Sequence, residues 1–188
     1  MARLLAVGFI AAVMLAACGK SGTDTRDAIS RHLGSTQEHV KFKLVLPSYL
    51  PPGTRERPSA IIEDEGRRIT IRFFGNQSAM APLHQTATIQ VIETFAPGAT
   101  PGTDIDLGGT IIRRPNPRLE KTVVRGNEVA IVRQPESEQV VFISMHTAID
   151  QVGIEVTVDW TNPAPEGRIR LTHEMEREAF KVFESMFD

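Results

Sequence analysis

The chain has 188 residues, with 21 Lys plus Arg against 23 Asp plus Glu for a net charge of -2, and one cysteine. A near-neutral balance argues against a nucleic-acid partner, and a lone cysteine excludes a disulfide within the chain, so stability must come from packing. Hydrophobic residues make up 41%, and with no internal repeat or long low-complexity tract this fits one domain with a real core.

The first element is the run LLAVGFIAAVMLAACGKSG, Leu4 to Gly22. Met1-Ala2-Arg3 gives a positive start, Leu4 to Ala17 carries no charge, and the small residues Ala16 and Ala17 precede the only cysteine. This is the three-part plan of a secretory signal. It is short of the about 20 apolar residues a spanning helix needs. The tetrapeptide Leu15-Ala16-Ala17-Cys18 resembles the lipobox of bacterial lipoproteins. The resemblance covers about the first 18 residues and implies a diacylglyceryl group on the Cys18 sulfur, cleavage before Cys18 and acylation of the new amino terminus. A thiolate is the nucleophile such an attachment needs. Each buried methylene adds about 0.8 kcal/mol of membrane affinity, so two or three chains hold a protein firmly. The expected organisation is a lipoprotein signal peptide over 1-17, the lipidated Cys18 with a tether over 18-40, and a single domain over 41-188. Gly19 lacks the Asp that in many two-membrane bacteria retains a lipoprotein at the inner membrane, so cell membrane and outer membrane are both allowed. Without residues 1-17, which hold one Arg, 20 basic residues face 23 acidic ones, a charge of -3.

Residues 24-33 predict a short helix with a thin apolar face (Ala28, Ile29, Leu33) ended by Gly34. Residues 41-46 alternate, with Phe42, Leu44 and Leu46 on one side, and predict a strand stopped by Pro47 and the Pro51-Pro52-Gly53 turn. Residues 60-64 and 67-74 flank Glu65-Gly66 and read as a hairpin with Ile69, Ile71 and Phe73 inward and Arg68, Thr70 and Arg72 toward water. Residues 86-95 predict a further strand. From 96 to 118, Pro97, Pro101, Pro115 and Pro117 with Gly98, Gly102, Gly108 and Gly109 predict a long surface loop interrupted by a short strand over 110-113. Strands over 121-124 and 128-133 flank a Gly126-Asn127 turn, and another strand runs over 139-146. Residues 151-160 give the clearest strand, with Val152, Ile154, Val156, Val158 and Trp160 on one face. Thr172 is the expected cap of a closing helix whose Met175, Ala179, Val182, Phe183 and Met186 form one apolar stripe. The fold class is therefore α+β: an antiparallel meander with a C-terminal amphipathic helix packed on one face.

The chemistry is sparse. His32, His39, His84, His146 and His173 are scattered, without HExxH or paired spacing, so no metal is expected. Ser144-Met145-His146 lies in a strand and reads as a sheet segment rather than a triad; no GxSxG elbow occurs. Gly102 to Gly109 has the Asp and Gly of a calcium loop's opening, but the twelfth position from Asp104 is Pro115 where a Glu is needed. Arg113, Arg114 and Arg118 fit a solvated loop or a contact with an anionic headgroup or polymer. Phe73-Phe74 and the methionine-bearing stripe fit core packing, or a lipid pocket. Catalytic, cofactor and metal residues are therefore none, and the single assigned site is lipid attachment at Cys18.

Leu46-Pro47-Ser48-Tyr49-Leu50-Pro51-Pro52-Gly53, with the closing Ala179 to Met186 helix, resembles an uncharacterised extracytoplasmic domain family of bacterial anti-sigma regulators and lipoproteins. That family has a Tyr-Leu-Pro-x-Gly start and an amphipathic end. The likeness spans about 41-187, with Thr54 where members usually carry Tyr or Phe and no counterpart for 96-118. It implies an antiparallel sheet backed by a helix and a binding or sensing role. The expected function is a lipid-anchored extracytoplasmic binding or sensory module, not an enzyme, whose partners are the membrane through Cys18 and an envelope protein or polymer. The alternative is a carrier of a hydrophobic ligand, a lipid or lipoprotein chain, in a pocket between sheet and helix.

Overall fold

The computed structural model describes residues 22-76, 83, 86-97, 120-162 and 167-188. In chain order these form α1 (Gly22–Leu33), β1 (Ser59–Glu63), β2 (Arg68–Phe74), β3 (Thr88–Phe95), β4 (Glu120–Val124), β5 (Asn127–Gln134), β6 (Glu136–Ser137), β7 (Val140–Ile149), β8 (Val152–Thr161), β9 (Ile169–Arg170) and α2 (His173–Glu184). Seven strands make one sheet in the order β1-β2-β3-β8-β7-β5-β4, and β6 pairs with β9 as a small ribbon. Every pairing is antiparallel, so the class is α+β.

The sheet departs from a single meander. β1-β2-β3 and β4-β5-β7-β8 are two meanders, joined where β3 meets β8 with Val91 opposite Val156. The connection between Phe95 and Glu120 therefore joins the middle of the sheet to its far edge, a displacement of four strand spacings, about 19 Å. Its 24 residues give ample length for that. The expected short strand over 110-113, the arginines of that segment and its calcium-like run lie outside the described residues.

Period-2 patterning sets which side chains are dry. Ile69, Ile71 and Phe73 on β2, Ile89 and Val91 on β3, Ile143 and Met145 on β7, and Ile154 through Trp160 on β8 are all buried on one face, as their alternation requires. Thr70, expected in water, is buried on the opposite face. The edges are wet: Ile61 on β1 is 53% exposed and Val123 on β4 is 65% exposed.

Turn chemistry sharpens two boundaries. Val124 pairs with Asn127, so the turn is Arg125-Gly126, with φ of 51° and 82°, rather than Gly126-Asn127. Ile149 pairs with Val152 around Asp150-Gln151, with φ of 47° and 68°. Two positive φ values in a two-residue hairpin make a primed turn whose twist matches that of the strands. This extends β7 three residues beyond the expected end at His146.

The two helices add their apolar residues to the same core. Ile29 and Leu33 of α1 and Met175, Ala179, Val182 and Phe183 of α2 cluster with the buried sheet residues. Thr172 caps α2 as expected: its Oγ1 accepts the Met175 N–H at 3.3 Å, while the Thr172 N–H donates to Met175 Sδ at 3.4 Å. The sulfur takes the place a Glu oxygen holds in the usual capping box.

A candidate binding cleft walled by an extended strap

Residues 41-46, expected as a strand, form none and join no ladder, with 41 and 42 in a bend. Phe42 and Leu46 are buried as the alternation requires, while Leu44 is half-buried, like Val45 beside it. What differs is the source of the hydrogen bonds. The Gln37 side chain stands in for a neighbouring peptide: its Nε2 donates to Phe42 O at 2.8 Å and its Oε1 accepts the Leu44 N–H at 2.9 Å. The Lys41 N–H donates to Gly66 O at 2.9 Å. Gly66 has φ of 83°, and a Cβ there would lie 2.3 Å from His39 O, so only glycine allows this approach. The Val45 N–H donates to the Glu93 carboxylate at 3.1 and 3.2 Å. Arg26 of α1 closes the far end, with Nε to Leu46 O at 3.1 Å, Nη2 to Ser185 O at 2.9 Å and Nη1 to Asp188 O at 3.0 Å.

This strap, α1 and the β7–β8 turn enclose a half-open cleft of about 820 Å³. Its apolar lining includes Leu33, Phe42, Leu44, Phe95, Ile149 and Val152, and its polar lining includes Arg26, Gln37, Lys41, Lys43, Asp150 and Asp188. That volume lies within the roughly 300–1,000 Å³ range of small-molecule sites. The cleft is displaced from the expected place. Of the helical methionine stripe only Met186 lines it, whereas Met175, Ala179, Val182 and Phe183 are buried in the core. Phe73 is likewise a core residue and Phe74 is 40% exposed.

Under the strap, Glu93 is fully buried, and burial pushes its carboxyl up to about 8 against the pull of the Val45 hydrogen bond. At neutral pH it therefore holds a proton. The strap continues through Ser48 and Tyr49 onto the C-terminal helix. Ser48 Oγ donates to Ser185 O at 3.1 Å, the Tyr49 N–H to Ser185 Oγ at 3.1 Å, and the Tyr49 hydroxyl to the Glu178 carboxylate. Burial alone would raise Glu178, but hydrogen bonds from Lys181 and Tyr49 hold its carboxyl below the ordinary value. The Ser-Tyr-Leu-Pro-Pro-Gly stretch thus clamps the end of the chain.

A second polar group sits on the opposite sheet face. Ser144 Oγ lies 2.9 Å from His146 Nε2 and 2.7 Å from Thr157 Oγ1, which donates to Glu155 Oε1 at 3.2 Å; Glu155 Oε2 is 3.8 Å from His146 Nδ1. His146 is 3% exposed, and burial lowers its pKa while Glu155 raises it. A hydroxyl, an imidazole and a carboxylate in sequence are the parts of a nucleophile and its base. Yet β7 is laddered on both sides at this point, to β5 and to β8. Its peptide groups are spent on neighbours rather than aimed at a developing oxyanion. On the same face, burial pushes Asp159 up to about 6, with Arg72 opposing.

The other expected positions resolve simply. His32, His39 and His173 stand on separate elements, and among the described residues no group of three or more His, Cys, Asp or Glu could hold a metal ion. Trp160 is fully buried in β8. Among the described residues no helix is long and apolar enough to cross a membrane. Cys18, His84, Arg113, Arg114 and Arg118 lie outside the described residues. The cleft was not foreseen, because its walls are the helix with the thinnest apolar face and a segment read as a strand; the signal available was Lys41 and Lys43 flanking Phe42. No protein-family model, curated protein or solved structure matches the chain.

Proposed function

We propose that this chain is a lipid-anchored extracytoplasmic binding module whose ligand enters the cleft between α1, the 41-46 strap and the β7–β8 turn. The observation that carries the binding role is the cleft itself, about 820 Å³ with both apolar and charged residues in its lining. The anchor rests on the resemblance of Leu15-Ala16-Ala17-Cys18 to a lipobox. Only Gly19, Lys20 and Ser21 separate Cys18 from the first helical residue, Gly22. The four steps from Cys18 to Gly22 span at most about 14 Å, so a lipid on Cys18 holds the domain, with α1 and its cleft, close to the headgroups. We further infer that α2 lies across the dry face of the sheet, supported by its stripe sharing one core with Val156, Val158 and Trp160.

Ser144 and His146 are read as a structural network rather than catalytic groups, in keeping with a binding role. The anchor is tested by growing cells with labelled palmitate and fractionating them. The wild type is expected to take up label and sediment with membranes, and Cys18→Ser to remain an unlabelled, uncut precursor. Label entering Cys18→Ser contradicts the anchor. For the cleft, Ile149→Arg places a charge in the apolar lining and is expected to abolish ligand retention without unfolding the domain.

A further inference from the structure

We infer that the cleft is selective for an anionic amphiphile: a single alkyl or acyl chain ending in a carboxylate or phosphate. This rests on the binding-module reading and adds the ligand's chemistry. The apolar part of the lining comes from Leu33 of α1, Phe42 and Leu44 of the strap, Phe95 of β3, Ile149 of β7 and Val152 of β8. A chain laid along these residues exchanges water for hydrocarbon over its length. The lining's charges then decide the other end. Of its two acids, Asp188 is engaged by Arg125 at 3.3 Å, and Asp150 stands on the β7–β8 turn, a different wall from the strap. Of its three bases, Arg26 has Nε, Nη1 and Nη2 committed to main-chain carbonyls. Lys41 and Lys43 remain, both lining the cleft and both exposed while Phe42 between them is buried. Among the described residues Lys41 forms one ion pair, with Glu65 at 3.9 Å and with a Glu side chain 89% exposed, a contact worth little. Lys43 enters none of the ion pairs among the described residues. Two ammonium groups in a lining that is otherwise largely apolar complement an anionic head on an apolar tail and repel a cationic one.

The test uses the full chain in phosphatidylcholine nanodiscs with a diazirine-bearing palmitate, cross-links being mapped by mass spectrometry. Label is expected on residues 41-46 and 149-152, competed by palmitate and by dodecyl phosphate but not by dodecyltrimethylammonium. Lys43→Glu, at an exposed position, is expected to keep the wild-type melting temperature and lose at least tenfold in labelling. Competition by dodecyltrimethylammonium equal to that by palmitate, or undiminished labelling of Lys43→Glu, overturns the anionic selectivity while leaving the cleft a binding site. Absence of label from the cleft overturns both the selectivity and the binding reading.

Discussion

The Val45 N–H sits 3.1 and 3.2 Å from the two carboxylate oxygens of Glu93, residues 48 positions apart. One buried acid thereby joins the cleft wall to the middle of the sheet, and its burial makes the stability of the fold depend on pH. Folding raises the Glu93 carboxyl to about 8 through burial, against about 4.3 in the unfolded chain. The folded state keeps a proton that the unfolded state releases, so this stability is complete below the unfolded value and is lost as pH rises through about 8. The Asp159 carboxyl, raised to about 6, contributes in the same sense at lower pH. His146, lowered by burial, acts only below its unfolded value. Between pH 7 and 9, then, Glu93 dominates. Melting temperature is expected to fall across that window in the wild type and to stay level in Glu93→Gln. An equal slope in both proteins removes Glu93 from the account.

Tyr49→Phe deletes the hydroxyl that donates to Glu178 while keeping the ring. A hydrogen bond to a charged group is worth about 1.5–3 kcal/mol, and the half-buried site puts the expected loss at the low end. Urea unfolding of Tyr49→Phe, Glu178→Gln and the double variant forms the test: the double variant is expected to lose less than the sum of the singles. Strict additivity means the clamp carries no coupling.

Ser144→Ala leaves His146 Nε2 without its partner inside the sheet. An unsatisfied buried polar group costs about 1–3 kcal/mol. Thr157→Val removes a second member of the network, and its effect is expected to overlap that of Ser144→Ala. Chemical denaturation measures both; a change within error for Ser144→Ala means that the network does not contribute to stability.

Phe183 is fully buried and its ring meets Phe187 edge-on at 5.1 Å. Truncating such a residue to alanine costs about 3–5 kcal/mol, a large share of the 5–15 kcal/mol that roughly spans domain stabilities. Val123→Ala at the open edge β4 is expected to stay within about 0.5 kcal/mol of wild type. Thermal melts of the two variants together separate core from edge, and similar losses for both contradict the assignment of the dry face.

What could be read from the sequence follows from where the physics is local. Residues 151-160 alternate without interruption, and the structure gives β8 with the expected residues inward. Thr172 and the Met175 to Met186 stripe likewise placed α2 within a residue or two, because caps and 3.6-residue periodicity act over a few turns. The 41-46 segment misleads for an instructive reason: alternation reports an extended backbone with one dry side, and it is silent on whether the N–H groups are met by a strand or by Gln37 and Glu93. The meeting of β3 with β8 is a long-range choice that local pattern does not encode. The cleft inherits both gaps, since its walls are that strap and the thin-faced helix α1. The Asp150-Gln151 turn escapes local pattern because it lacks the glycine that usually marks a primed turn.

An anchored domain with an occupied cleft is tested by the native mass of the protein released from its own membranes in mild detergent. The expected spectrum is a chain beginning at a diacylglyceryl-modified, acylated Cys18 and carrying one anionic amphiphile, lost in Ile149→Arg. A chain with an unmodified Cys18, or an amphiphile still bound when Ile149 is replaced by Arg, contradicts it.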